Sequence, residues 1–268
     1  MKICDAHLHY GNMHNVKEIA ENSILRETFP CYQSIQYNSM QRYEELFSKY
    51  NIEKTVLIPF VLREQDALEE SKLVLDYAMN NTNRYFPYMY LDESNPEFLE
   101  KNYMNFVGVK EHLVRNESIL TKEKSVIFEI MNQHKMILLL HSQQSRRIEY
   151  VRSLLKNFPN MVIQIAHMGR GAMGDTEMIY KVLKEFEKNE NVIYDTSTVR
   201  DPKVIEKAVN IIGADRILYG SDLPFFIEDK DEDIMLRQIQ HILKAKITDD
   251  ARENIFYNNF QKWIKRGV

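Results

Sequence analysis

The 268-residue sequence predicts an α/β fold, a closed (β/α)8 barrel of the TIM type in a single domain over residues 1–268. Eight short apolar runs alternate with longer amphipathic stretches, and this alternation is typical of parallel strands joined by helices. The length is close to the roughly 250 residues that one such barrel needs. A doubly wound open sheet is the alternative fold, but no GxGxxG motif follows the first run.

Most of the eight predicted strands are nearly continuous in apolar character, as expected of parallel strands that are buried on both faces. They are KICDAHLH (2–9), KTVLIPF (54–60), YFPYMYL (85–91), FVGVKEH (106–112), MILLLH (136–141), MVIQIAH (161–167), NVIYDTS (191–197) and RILYGSD (216–222).

Between the strands, apolar residues recur at three- and four-residue steps, which indicates amphipathic helices. Such stretches are SMQRYEELFSKY (39–50), EKSVIFEIMNQH (123–134), RRIEYVRSLLKNF (146–158), DTEMIYKVLKEFEKN (175–189) and DPKVIEKAVNIIG (201–213). Asp175 and Asp201 are placed to cap the helices that follow them. Pro202 suits a first helical turn and Gly213 suits a helix end.

A long connection, residues 10–39, follows the first strand, whereas connections of about 4–6 residues are usual. It leaves from the C-terminal end of that strand, which is the end where barrels carry their active-site loops. We therefore expect this long first βα loop to act as a lid or substrate loop. An insertion without a function is the alternative.

The composition limits the classes of partner. Hydrophobic residues make up 44% and charged residues 28% of the chain, and the net charge of −4 argues against binding nucleic acid through a basic surface. Two cysteines, Cys4 and Cys31, suit a reducing compartment. Neither a signal peptide nor a membrane-length apolar run is visible. We expect a cytoplasmic protein with a small-molecule substrate and no nucleic-acid or membrane partner, and a homo-oligomer is left open.

Chemically active residues collect at the ends of the predicted strands. His7 and His9 end the first strand, His141 the fifth, His167 the sixth and Asp222 the eighth. The C-terminal ends of barrel strands converge on one mouth, so these residues should meet. Imidazole and carboxylate groups suit a divalent ion of intermediate softness, Zn²⁺ first, with Mn²⁺, Fe²⁺ or Co²⁺ as alternatives.

These motifs resemble the amidohydrolase superfamily, and within it the amidohydrolase-related branch that includes aminocarboxymuconate semialdehyde decarboxylase and several lactonases. The resemblance rests on DAHLHYG (5–11), GVK (108–110), LLLHS (138–142), IQIAHMGRG (163–171), NVIYDTSTV (191–199) and DRILYGSDLPF (215–225). The segment ARENIFYNNFQKWI (251–264) resembles the C-terminal helix of the branch, so the matches cover residues 3 to about 264.

The resemblance implies a metal site and its ligands. His7, His9, Asp222 and His141 would hold one divalent ion, and His167 would act on the substrate or on water, or serve as a further ligand. Members with two metal ions carry a carbamylated lysine on the fourth strand, and Lys110 stands at about that place, so a binuclear site stays open. Some lactonases of the branch work without a metal, which leaves a metal-free site as a lesser alternative.

Other polar residues are candidates for substrate binding. Lys110 and His112 share one face of the fourth strand. Arg170 and Arg200 carry guanidinium groups suited to a substrate carboxylate, and a loop ion pair is the alternative for each. Asp5 shares the predicted face of the histidines, so we expect it to support one of them by a hydrogen bond.

The function predicted from these residues is a metal-dependent hydrolase that attacks an amide or lactone carbonyl with activated water. Asp222 would accept the proton of that water, and His167 would polarise or protonate the carbonyl. A decarboxylase of a small unsaturated or aromatic carboxylate would use the same ligands and is the first alternative. A barrel that binds a metabolite without catalysis is the second.

Overall fold

The computed structural model describes residues 1–11, 39–61, 66–113, 120–142, 146–171, 175–225 and 234–266. Nine parallel strand segments of these residues form one sheet, in which β1 and β2 both pair with β3 and the later strands follow chain order. The segments are β1 (Ile3–Asp5), β2 (His9–Tyr10), β3 (Ile52–Pro59), β4 (Tyr85–Tyr90), β5 (Gly108–His112), β6 (Ile137–His141), β7 (Val162–Ile165), β8 (Val192–Asp195) and β9 (Ile217–Leu218).

The first and last strands close this sheet into a barrel. Leu8 forms a parallel bridge with Leu223, and the Ala6 N–H donates to the Tyr219 carbonyl at 2.8 Å. Because β1 and β2 are two parts of one barrel strand, the nine segments make eight barrel strands. The predicted (β/α)8 barrel is confirmed.

Two of the predicted strands differ from the expectation. The first, predicted over 2–9, is interrupted between β1 and β2, because residues 6–8 bond to the segment that follows β9. The eighth, predicted over 216–222, pairs with β8 only at β9. Both departures lie where the first and last strands meet, and that is also where the candidate site lies.

Helices follow the strands on the outside of the barrel. Asp175 and Asp201 cap their helices as predicted, accepting from the backbone N–H groups of Met178 at 3.2 Å and Lys203 at 2.9 Å. The helices are α1 (Met40–Tyr50), α2 (Ala67–Met79), α3 (Pro96–Asn102), α4 (Lys122–Gln133), α5 (Arg147–Asn157), α6 (Thr176–Glu185), α7 (Pro202–Ile212), α8 (Ile234–Lys244), α9 (Asp249–Glu253) and α10 (Asn259–Trp263), with a π-helical turn (Asn254–Asn258) between the last two.

The apolar core has two parts. One fills the layer between strands and helices, and the other fills the barrel interior with side chains that include Val56, Leu139 and Ile193. Phe260 and Ile264, from the C-terminal helix and the residue that follows it, belong to the interior cluster. The C-terminal helix therefore packs against the barrel at the end opposite the strand ends that carry the histidines.

Most of the predicted lid, residues 10–39, lies outside the described residues. The first barrel strand ends at β2 and α1 begins at Met40, but residues 12–38 lie outside the described residues. Among the helices that are described, none is long and apolar enough to cross a lipid bilayer.

Candidate metal centre

Three nitrogen and oxygen atoms meet at the mouth of the barrel. His7 Nε2 lies 3.3 Å from His9 Nε2 and 3.3 Å from Asp222 Oδ1, and His9 Nε2 lies 3.5 Å from Asp222 Oδ1. A tetrahedral ion bound at about 2.0–2.2 Å holds neighbouring donor atoms about 3.3–3.6 Å apart. The three residues, all buried, therefore fit a divalent ion in both chemistry and spacing.

His7 lies in the interruption of the first strand, where Asp5 fixes its backbone. The Asp5 carboxylate accepts from the backbone N–H of His7 and from that of Ser221, both at 3.0 Å. Asp5 thus joins the first strand to the segment after β9, and it supports His7 through the backbone rather than through the ring. Burial raises the pKa of Asp5 to about 7.

The close approach of the first and last strands requires a glycine at position 220, just before Ser221 and Asp222. A Cβ atom on Gly220 would lie 2.8 Å from the Cβ of His7 and 3.2 Å from that of Ser197. Only glycine lets the last strand approach the first this closely. Asp222 itself has a positive φ of 63° and donates its backbone N–H to the His7 carbonyl at 2.7 Å.

Asp195 sets the protonation of His7. Its Oδ2 lies 3.0 Å from His7 Nδ1 and accepts from Gln164 Nε2 at 2.9 Å. Because an ionised carboxylate only accepts, His7 carries its proton on Nδ1 and turns the lone pair of Nε2 toward His9 and Asp222. Burial acts to raise the pKa of Asp195, but the contacts with His7 outweigh it and hold that pKa well below its ordinary value.

Sequence reasoning missed this role of Asp195. The residue lies in the strand-end motif NVIYDTSTV, but its partner His7 is 188 positions away. The available signal was an acidic residue at the end of a buried strand beside the expected mouth. Ser197 and Gln164, which complete the same network, were missed for the same reason.

His167 lies beside the three donor atoms, with its ring centroid 5.0 Å from that of His7. Its Nδ1 is 3.1 Å from the Ser197 carbonyl oxygen and 2.7 Å from Ser197 Oγ, whose proton points to Asp195. Both partners accept, so His167 carries its proton on Nδ1 and its Nε2 is an acceptor. Burial lowers the pKa of His167 to about 3, which keeps the ring neutral.

His141 donates to His167. Its Nδ1 lies 2.9 Å from His167 Nε2, and since that Nε2 is an acceptor, the proton belongs to His141. The remaining nitrogen of His141, Nε2, then carries a lone pair, which is the form that a metal ligand needs. The ring of His112 stacks on His141 with centroids 4.3 Å apart. His141 is not one of the three close donor atoms, and its role as a fourth ligand stays a prediction.

An unusual turn carries His167. His167, Met168 and Gly169 all have positive φ angles, 55°, 52° and 73°. The buried Arg147 donates through Nη1 to the carbonyls of Gly169 and Arg170, both at 2.6 Å. Left-handed conformations are costly for residues other than glycine, so these bonds help to hold the turn.

Comparison with known proteins identifies the family. A family model described as "Amidohydrolase" matches residues 4–263. The chain belongs to the amidohydrolase family. It is therefore a metal-dependent enzyme of the amidohydrolase superfamily. No curated protein matches this amidohydrolase in sequence.

Solved structures show the same fold at low sequence identity. The chain is similar to 2,6-dihydroxybenzoate decarboxylase from Rhizobium, with a TM-score of 0.74, 16% identity and coverage of 98% of both chains. It is also similar to an amidohydrolase from Burkholderia multivorans with bound zinc, with a TM-score of 0.78, 10% identity, and coverage of 98% of this chain and 99% of that one. A third is a dihydroxybenzoic acid decarboxylase from Polaromonas with bound manganese, with a TM-score of 0.68, 16% identity, and coverage of 98% and 96%.

A second group of possible ligands in this amidohydrolase, His7, His167 and Asp195, suits a metal less well. The two oxygens of Asp195 already take part in five hydrogen bonds, to His7, Gln164, His167 and twice to Ser197. A carboxylate that is saturated in this way serves to orient its neighbours. The group of His7, His9 and Asp222 is therefore the candidate metal centre.

The four predicted substrate-binding residues take different positions. Lys110 is buried, and burial lowers its pKa to about 8. His112 stacks on His141, as described above. Arg170 is half-buried, and its Nε donates to Thr198 Oγ1 at 2.8 Å. Arg200 is exposed, its charge is one of several that act on the pKa of His241 of α8, and its part in substrate binding stays a prediction.

Two aromatic rings border the metal centre. His9 meets Phe225 edge-on at a centroid distance of 5.4 Å and Phe60 at 6.1 Å. The two phenylalanine rings lie 5.7 Å apart. They give one side of the mouth an apolar, aromatic surface.

Proposed function

We propose that this amidohydrolase hydrolyses an amide or lactone bond of a small molecule with one divalent ion held by His7, His9 and Asp222. The observation that carries the proposal is the spacing of the three donor atoms beside the neutral ring of His167. A divalent ion at such a site supplies the Lewis acidity that makes water nucleophilic at neutral pH. Zinc is the first candidate for the ion, and manganese, iron and cobalt are the alternatives.

Asp222 is placed to accept the proton that water loses in hydrolysis. Asp222 turns Oδ1 toward His7 and His9, so its Oδ2 is the oxygen that would take the proton. Burial acts to raise the pKa of Asp222, but the nearby imidazoles outweigh it and keep the carboxylate ionised. The Nε2 of His167 already accepts from His141 Nδ1, so His167 would orient His141 rather than take this proton or polarise a carbonyl.

His141 is proposed as the fourth ligand through Nε2. The bond from its Nδ1 to His167 supports this assignment, because a ligating imidazole usually donates its other N–H to a neighbour. The substrate is proposed to be a small molecule, and neither nucleic acid nor a membrane is needed for the reaction.

Decarboxylation of an aromatic carboxylate is the second candidate. It is favoured by the aromatic surface of Phe60 and Phe225 beside His9, which suits a flat unsaturated ring. Two of the similar structures are decarboxylases of dihydroxybenzoic acids by their descriptions. A barrel that binds a metabolite without catalysis finds less support, because the chain belongs to a family of enzymes and three of its donor atoms have the spacing of a metal site.

One experiment separates the two reactions. The purified protein is reconstituted with Zn²⁺ or Mn²⁺ and incubated in ¹⁸O-labelled water with a panel of lactones, amides and hydroxybenzoates. We expect about one ion per chain and one ¹⁸O atom in the product. Release of CO₂ without ¹⁸O in the organic product selects the decarboxylase, and a chain that holds no ion after reconstitution contradicts both.

The variant Asp222→Asn tests the proton acceptor. Asparagine can offer one oxygen to a metal but takes no proton at neutral pH, so turnover should fall about 100-fold or more. Asp201→Asn is the matched control, because Asp201 caps α7 and asparagine caps a helix equally well. Near-normal turnover by Asp222→Asn at normal metal content would contradict the role.

A further inference from the structure

Lys110 lies on the inner face of β5, among the residues of the mouth. Its neighbour Glu111 contacts Lys124 and Tyr150 in the outer layer, and adjacent strand residues face opposite sides. Lys110 is also in register with Leu139, a member of the interior cluster. The ammonium group therefore points into the barrel.

Lys110 is the exception among the buried basic residues of the described chain. The structure describes four buried lysine and arginine side chains, and three of them donate hydrogen bonds to protein groups: Lys124 to Glu111, Arg147 to the turn after His167, and Arg216 to backbone carbonyls. Lys110 is 1% exposed, and its Nζ has no hydrogen-bond partner among the described residues. A buried ammonium without a partner is costly, so such a group indicates a ligand.

Among the described residues, the carboxylates that act on Lys110 are engaged by other partners. The two acidic residues whose charges act on it most are Asp222 and Asp195. Asp222 faces His7 and His9, and Asp195 is saturated by five hydrogen bonds. Both negative charges are committed to imidazoles, so neither of these described carboxylates pairs with the ammonium, and an anionic ligand would supply that partner.

We propose that Lys110 binds an anionic oxygen of the substrate, so that the substrate of the proposed reaction is a carboxylate. The inference rests on the proposed function and names its substrate class. A single ammonium among neutral imidazoles matches the single charge of a carboxylate better than the double charge of a phosphate monoester. The aromatic surface of Phe60 and Phe225 suits an apolar body attached to that carboxylate.

Binding of simple probes tests this assignment without any turnover. Benzoate, its neutral analogue benzamide and inorganic phosphate are titrated by calorimetry into the metal-loaded wild type, Lys110→Met and Lys110→Arg. We expect wild type to bind benzoate, and Lys110→Met to bind it about 10- to 100-fold more weakly, the range that a charge-assisted hydrogen bond supplies. Lys110→Arg should recover part of the affinity, and benzamide affinity should change less than about 3-fold.

Lys54→Met is the matched control for charge. Lys54 lies on β3, and its Nζ donates to Gln261 of the C-terminal helix at 2.7 Å, away from the mouth. Its loss should leave benzoate affinity unchanged. Equal loss of affinity in both variants would reduce the effect to net charge and overturn the proposal.

Three further outcomes overturn it. They are benzoate affinity that survives Lys110→Met, binding of phosphate but not of benzoate, and a carbamate signal from Lys110 in ¹³C-bicarbonate together with two ions per chain. Failure of the proposed function gives a different result. If the protein binds benzoate through Lys110 but turns over no substrate, the proposed reaction is wrong and the assignment of Lys110 stands.

Discussion

Two buried lysines, one on each side of β5, differ in whether the ammonium group has a hydrogen-bond partner. On the outer face, Glu111 accepts from Lys124 Nζ at 2.8 Å and from the Tyr150 hydroxyl at 2.9 Å, so each charge has a partner. On the inner face, Lys110 has no hydrogen-bond partner among the described residues. The outer ion pair therefore stabilises the fold. The inner lysine, in contrast, is proposed to pair with the carboxylate of a bound substrate.

The largest expected effect lies on the outer face. Lys124→Met leaves the buried carboxylate of Glu111 without its cation, which should lower the free energy of unfolding by about 3–5 kcal/mol. Urea denaturation of the metal-free protein measures the loss. The double variant Lys124→Met/Glu111→Leu should recover most of it, because replacing a buried ion pair by apolar residues is often neutral. Equal stability of Lys124→Met and wild type would remove the contrast between the two faces.

A second, smaller effect concerns Asp195 at the mouth. In Asp195→Asn the amide oxygen would stay with the three donors of His167 and Ser197, and the NH2 group would face His7 Nδ1. A donor at that place no longer favours the proton of His7 on Nδ1, so the affinity for Zn²⁺ should fall about 10- to 100-fold. Competition with a chelating dye measures the affinity, and Asp201→Asn is the control for the loss of one carboxylate. Unchanged affinity would mean that His7 finds its ligating form without Asp195.

The smallest effect is expected at Lys110 and has the opposite sign. Lys110→Met removes a buried charge without a protein partner, so the metal-free protein should gain about 1 kcal/mol in free energy of unfolding at pH 7. The folded pKa of about 8 lies below the ordinary value of 10.5, so the unfolded chain binds more protons between these values. The contribution of Lys110 to wild-type stability should therefore rise from pH 8 to 10.5, and the variant should lack that rise. A destabilised variant would show that Lys110 has a structural partner after all.

Much of the site could be predicted because it lies at strand ends. His7, His9 and Asp222 follow apolar runs, and the parallel barrel brings such ends together whatever their separation in sequence. The sequence could not reveal the network around Asp195, since it depends on side chains that meet only after the barrel closes. Arg200 also follows a strand motif, but its side chain is exposed, and its part in substrate binding stays a prediction.

The filled interior of the barrel has a kinetic consequence. Val56, Leu139 and Ile193 occupy the space beneath the metal centre, and Phe260 and Ile264 close the far end. The described barrel thus offers no second exit, and a product must leave by the opening through which the next substrate enters. Substrate and product then exclude one another, so accumulated product should raise the apparent KM and leave kcat unchanged.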